Sequence, residues 1–299
     1  MTRMNTLRII NHNNGFTLIE LVIVIVLLGV IATISSKFFT NTIIGYNDAD
    51  LRIELSHMGR IAIEKVTREL RNAMPRTIRV NNSCIEFIPV ISSAHYQDQA
   101  VIYSSPAVAS MPLSVSGQAV AVNQVDVFNL NFTPQVGTNY FLAVYPVGPG
   151  SGNGDPYASN SPGSLVAYQS KSFVNPPTNT ITRLTMNAAF LFFRHSPQRR
   201  LFIVAPAVSY CVTGTRLERH SNYGFSITQS TPPAGTIQRI AENIQLSDAG
   251  NSVIPFVFIP GTLVRNAVVK LDFRIRQIDH LGNDNWIRLN HEVQIRNVP

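Results

Sequence analysis

The sequence predicts an α+β protein: a long N-terminal stem helix, partly transmembrane and partly amphipathic, packed on a β-rich, mainly antiparallel C-terminal body. Three observations predict it. None of the 18 prolines precedes Pro75, and proline is disfavoured in helix interiors. The 19 residues from Phe16 to Ile34 hold one formal charge, Glu20, which is about the length and composition of a membrane span. From Thr77 onward, short strand-like runs alternate with Gly, Pro, Asn and Ser, the pattern of strands and turns.

The chain has 299 residues, enough for two ordinary domains or one large β domain. Hydrophobic residues make up 45% and charged residues 14%, so a large core is available and the surface is sparsely charged. The net charge of +7 permits contact with nucleic acid or anionic lipid. The basic residues are scattered, however, so a solvated surface is the simpler reading and a nucleic-acid partner is not expected.

The first helix raises a question of charge. A carboxylate such as Glu20 costs several kcal/mol in lipid when unpaired. A secretory signal peptide would have a short apolar stretch and a small-residue cleavage site, and Ala-x-Ala is missing after this run. A plain anchor, held by Arg3 and Arg8 with its N-terminus in the cytoplasm, fits the length but gives Glu20 no reason to be there.

Gly15-Phe16-Thr17-Leu18-Ile19-Glu20, followed by Leu21-Val22 and the apolar run, resembles the type IV prepilin signature. The resemblance implies cleavage after Gly15 by the prepilin peptidase and N-methylation of Phe16. It divides the chain into a leader (1–15), a transmembrane and filament-core helix (16–36), an amphipathic stem (37–74) and a β-rich body (75–299). Cleavage creates an ammonium at Phe16, and Glu20, on the same or a neighbouring subunit, would neutralise it. In the family this pairing sets the axial register between subunits.

The stem reads as one long helix with soft spots at Gly29 and Gly45, each costing up to about 1 kcal/mol against alanine. Asn47 or Asp48 could cap a restarted helix. Leu51, Leu55, Met58, Ala62, Val66 and Ala73 then form a stripe at helical spacing, with Leu70 at its edge. Arg52, Arg60, Lys65, Arg68 and Arg71 occupy the opposite face with Glu54, Glu64 and Glu69. The helix is expected to stop before Pro75. ELRNAMPRTIRV (69–80) resembles the end of the stem in J/W-type minor pilins and pseudopilins.

In the body, strands are expected over 77–80, 84–91, 125–132, 139–145, 181–185, 189–193, 200–204, 207–213, 215–219, 253–258, 263–278 and 285–297. The last two suit a hairpin, in which Val269, Leu271, Phe273 and Ile275 alternate with Lys270, Asp272, Arg274 and Arg276. That alternation belongs to an antiparallel sheet with one wet face. The stretch 236–246 is ambiguous between helix and strand, 147–163 reads as a long loop, and no domain boundary is visible inside the body. Cys84 and Cys211 both lie in strand-like runs. They would pair outside the cytoplasm; the alternative is two separate buried thiols.

NNSCIEFIPV, SYCV, TRLERHSNYG and the ending HEVQIRNVP resemble the MshO-type minor pilins of the mannose-sensitive haemagglutinin pilus. The resemblances together imply a minor pilin that initiates a pilus or forms its tip complex. Such a subunit starts in the inner membrane as a single-pass protein with a periplasmic body and ends in a pilus at the cell surface. Its partners would be other pilins through the N-terminal helix, the prepilin peptidase and the inner-membrane assembly platform. A pseudopilin of type II secretion and a ligand-binding tip subunit, with ligand unknown, are the alternatives.

No nucleophile elbow, zinc-protease helix, P-loop or dinucleotide fingerprint occurs. His57, His195, His220, His280 and His291 are isolated from one another. The Gly/Asn/Asp loop around Asp155 lacks the regular spacing of a calcium loop. FFRHSPQRR (192–200) reads as a solvated hairpin turn. No catalytic residue, cofactor or metal is expected, and the chain reads as a structural protein.

Overall fold

The computed structural model describes residues 16–96, 121–174, 181–248, 250–262, 265–279 and 282–295. By internal contacts it divides into two compact units, up to Leu51 and from Arg52 onward.

Helix α1 runs unbroken from Leu18 to Arg71, 54 residues. The restart at Asn47 or Asp48 does not occur: Gly45 sits inside the helix, with open space where a Cβ would stand. The helix ends at Arg71, four residues before Pro75, and Asn72 and Met74 then join the sheet edge through Val90 N–H to Asn72 O and Met74 N–H to Ile88 O.

The strands are β1 (Arg79–Asn81), β2 (Cys84–Phe87), β3 (Val90–Tyr96), β4 (Val122–Phe128), β5 (Phe141–Ala143), β6 (Leu165–Phe173), β7 (Ile181–Phe190), β8 (Arg200–Val204), β9 (Val208–Thr213), β10 (Arg216–Ser221), β11 (Thr236–Ala241), β12 (Ile244–Gln245), β13 (Ser247–Asp248), β14 (Asn251–Ser252), β15 (Phe256–Ile259), β16 (Ala267–Ile278) and β17 (Asp284–Ile295). Every named ladder is antiparallel.

A five-stranded sheet has the order β1-β2-β9-β10-β11, and β16 carries β12 and β15 on one edge and β17 on the other. The C-terminal part of α1 packs on these sheets. Leu55, Gly59, Ala62, Val66, Thr67 and Leu70 are its buried residues, which fits a helical stripe facing a core. Leu70 is central instead of marginal. Gly59 replaces Met58 at closest approach, because a Cβ there would stand 2.1 Å from Leu289 Cδ1 and 2.9 Å from Ile275 Cδ1. The core beneath gathers Ile85, Tyr210, Leu217, Leu271, Phe273 and Val293.

Between β2 and β9 the chain leaves this sheet and closes a six-stranded barrel, β3-β4-β7-β6-β5-β8. Its core of Val127, Leu142, Leu184, Met186, Leu201 and Ile203 is separate from that under the helix. The body, one compact unit from Arg52 onward, therefore holds two separate cores. A third cluster, with Met74, Ile88, Tyr157, Phe202 and Val204, joins the two.

Further expectations change, among them the strand 84–91, which divides into β2 and β3. The strand β6 was not foreseen. The separate runs 181–185 and 189–193 are replaced by one strand, β7, whose ladder with β4 jumps from Thr185 to Phe190. The ambiguous 236–246 stretch forms two strands, because Asn243 takes a left-handed φ of 62° between them. The final hairpin forms in regular register from Ala267↔Ile295 to Ile278↔Asp284.

Candidate functional site

The N-terminal helix is built around its first turn. Thr17 stands just before the helix, and its Oγ1 accepts the Glu20 N–H at 3.3 Å, while its carbonyl accepts the Leu21 N–H at 3.2 Å. Thr-x-x-Glu at a helix start is the capping-box spacing. A carboxylate in the first turn also opposes the positive helix end, a contribution of about 0.3–1 kcal/mol. Thr17 thus has a local capping role that sequence reasoning overlooked, though its signal was the spacing from Glu20.

Beyond that turn the surface is apolar and uncovered. Leu27 is 55% exposed, Ile34 64% and Phe39 64%. The helix is long and apolar enough to cross a membrane, and its most apolar window buries nothing inside the protein. Such a surface is suited to lipid or to neighbouring helices. Gly15, the leader, Arg3 and Arg8 lie outside the described residues, as does His280.

The structure brings Cys84 and Cys211 together. They are direct partners in the β2–β9 ladder and form a disulfide, with Cα atoms 4.1 Å apart. The adjacent pair is hydrogen-bonded through Val212 N–H to Ser83 O. The cysteines therefore occupy the non-hydrogen-bonded site, where opposing Cα atoms lie closest. Both are buried.

Beside the disulfide lies a buried polar hub. Arg79 Nε donates to Glu86 Oε2 at 2.5 Å, and its terminal nitrogens donate to the carbonyls of Ser226 and Ile227. The guanidinium lies 3.7 Å from the Tyr157 ring centroid. Glu86 also accepts the Tyr223 hydroxyl at 3.0 Å, and the Tyr157 hydroxyl donates to Thr77 O at 2.8 Å. Burial, then the Glu86 charge, holds both tyrosines well above the usual phenol range. The hub is fully occupied by its own partners and ties β1, β2, the 155–157 loop and the 223–229 segment together.

Asp126 and the remaining sequence-flagged residues are structural. Asp126 is buried and receives Nε and Nη2 of Arg183 at 2.8 and 2.7 Å, which raises the Arg183 pKa. Asp155 spends its oxygens on the Gly150 and Tyr157 N–H groups, both at 2.8 Å, so it organises its own loop. In the 192–200 turn, His195 stacks on Tyr96 with centroids 5.9 Å apart. Among the described residues no group of three or more His, Cys, Asp or Glu could hold a metal ion.

Residues 10–36 match the family described as the prokaryotic N-terminal methylation motif. No curated protein and no solved structure matches the chain. With the capped, uncovered apolar helix that begins at Leu18, this match supports a type IV prepilin-like N-terminal segment.

Proposed function

We propose that this protein is a minor pilin of a type IV pilus of the mannose-sensitive haemagglutinin kind, which initiates assembly or forms part of the tip complex. The motif implies processing by the prepilin peptidase and assembly with other pilins, a structural class of protein and not an enzymatic one. In this reading the peptidase cuts after Gly15 and Phe16 becomes the methylated N-terminus. Residues 16–36 span the inner membrane and later enter the filament core. Residues 37–74 form the stem, and 75–299 face the periplasm and then the cell surface.

The observation that carries the reading is the first turn of the helix. Thr17 caps it one residue after the expected new terminus, so the mature chain keeps a capped helix start with Glu20 in that turn. The carboxylate is then available to the Phe16 ammonium of its own or a neighbouring subunit. Strands β3 to β8 add a barrel to the body, bulk better suited to a low-copy subunit than to one repeated along a thin fibre. Glu20→Val should leave cleavage intact and abolish recovery of the protein in sheared pili; normal incorporation of that variant would refute the register role.

A further inference from the structure

The β16–β17 hairpin turns one face to the core and the other to water. Val269, Leu271, Phe273 and Ile275 are buried on the first. On the second, Arg276 stands opposite Trp286 and Ile278 opposite Asp284, so Trp286 and Ile278 are diagonal neighbours within reach of each other. Both are uncovered, at 51% and 59% exposure. The Arg274 guanidinium lies 4.7 Å from the Trp286 ring centroid. Arg276 donates to Asp284 at 2.6 Å, and Arg288 to the two oxygens of Asp272 at 3.0 and 2.6 Å. Asp279 is buried and accepts from Asn283. At the surface, therefore, Arg274, Arg276 and Arg288 stand against Asp272 and Asp284 around an exposed apolar pair.

Two observations say what covers this patch. The first is its place in the unit. Leu289 lies against Gly59, while Ile295, at the far end of β17, shares a pocket with Ile78, which follows the helix. The strand therefore runs in the direction of the helix. Trp286 lies at the end of the unit where the chain enters at Arg52, coming from the apolar segment. The second is chemical. A dry protein partner would strip water from three arginines and their aspartates, and that desolvation tends to cancel the gain from the ion pairs. The headgroup layer of a bilayer stays wet. It accommodates an indole ring and an aliphatic side chain at its inner edge, and anionic headgroups meet the surplus positive charge. We propose that this end of the sheet docks on the headgroup layer of a membrane containing anionic phospholipid, with Trp286 and Ile278 as the inserted pair. The proposal rests on the membrane-anchored reading of residues 16–36 and adds a contact made by the body.

Trp286 is the only tryptophan in the chain, so intrinsic fluorescence reads this patch alone. The test reconstitutes the full chain into vesicles of phosphatidylglycerol with phosphatidylcholine, and into vesicles of phosphatidylcholine alone. Each set is prepared with and without acyl chains brominated next to the headgroup. In the anionic vesicles the emission should move to the blue of its position in zwitterionic detergent, and the brominated lipid should quench it. Ile278→Ser, a change at an exposed position, should remove most of that quenching. An unquenched Trp286 in anionic vesicles, equal quenching in phosphatidylcholine alone, or unchanged quenching in Ile278→Ser would each overturn the proposal. The first of these would leave the patch to a protein partner. Flotation of the same samples separates the two readings. A chain that floats with the vesicles while Trp286 stays unquenched is anchored but not docked; one that fails to float overturns the anchored reading as well.

Discussion

Arg219 on β10 and Glu69 near the end of α1 form a clamp between helix and sheet. The Arg219 Nε is shared by both carboxylate oxygens, at 3.0 and 2.9 Å, and the side chains are only 23% and 25% exposed. The Tyr210 ring stacks on Phe87 nearby, and burial first, then the Glu69 charge, raises its pKa. Partial burial makes this pair stronger than an open surface bridge, yet breaking it leaves a charge with reduced access to water.

Arg219→Met should therefore destabilise the full chain by about 1–2 kcal/mol. A double-mutant cycle with Glu69→Gln in urea unfolding should return a coupling near 1 kcal/mol. Strictly additive variants would show that the clamp contributes nothing.

The Cys84–Cys211 bridge closes a loop of 127 residue steps around the barrel. Chain-entropy arithmetic gives about 4–5 kcal/mol as an upper figure. Cys84→Ser paired with Cys211→Ser should lower the unfolding midpoint sharply. Non-reducing mass spectrometry of the wild type should find the two cysteine peptides linked; two alkylatable thiols would contradict the bridge.

His220 supplies a pH dependence. It is buried on β10, with Glu218 Oε2 3.7 Å from its Nε2. Burial lowers its pKa below 6.5, and Glu218 and the Pro233 carbonyl only partly offset this. Between the lowered folded value and 6.5 the unfolded chain binds more protons, so stability falls as pH drops through that window and levels off below it. His220→Gln should flatten the melting temperature between pH 7.5 and 5. An unchanged slope in that variant would assign the effect elsewhere.

Legibility from the sequence followed the range of the interactions. The β16–β17 hairpin was readable because Val269, Leu271, Phe273 and Ile275 are all buried on one face of a local pairing. The helix was readable through proline's absence, although its tightest contact, Gly59 against Leu289, depends on a strand 230 positions later. The barrel was not readable. Its strand β6 is exposed or half-buried over most of its length, with burial confined to Leu165 and Val166, so its identity comes from β5 and β7 and not from its own alternation. Thr236–Gln245 failed for the same reason: partners on β10 and β16 overrode a pattern that also suits a helix. At the N-terminus the signature was local and legible, and the capping role of Thr17 was there to be read in its spacing from Glu20.

The central claim is that the chain is trimmed at one bond and keeps its apolar helix. Mass spectrometry of the N-terminal peptide of the native protein tests this most directly. The account predicts a chain beginning at N-methylated Phe16, with Thr17 and Glu20 retained. A chain that begins at Met1, or one from which residues 16–36 have been removed, would contradict it.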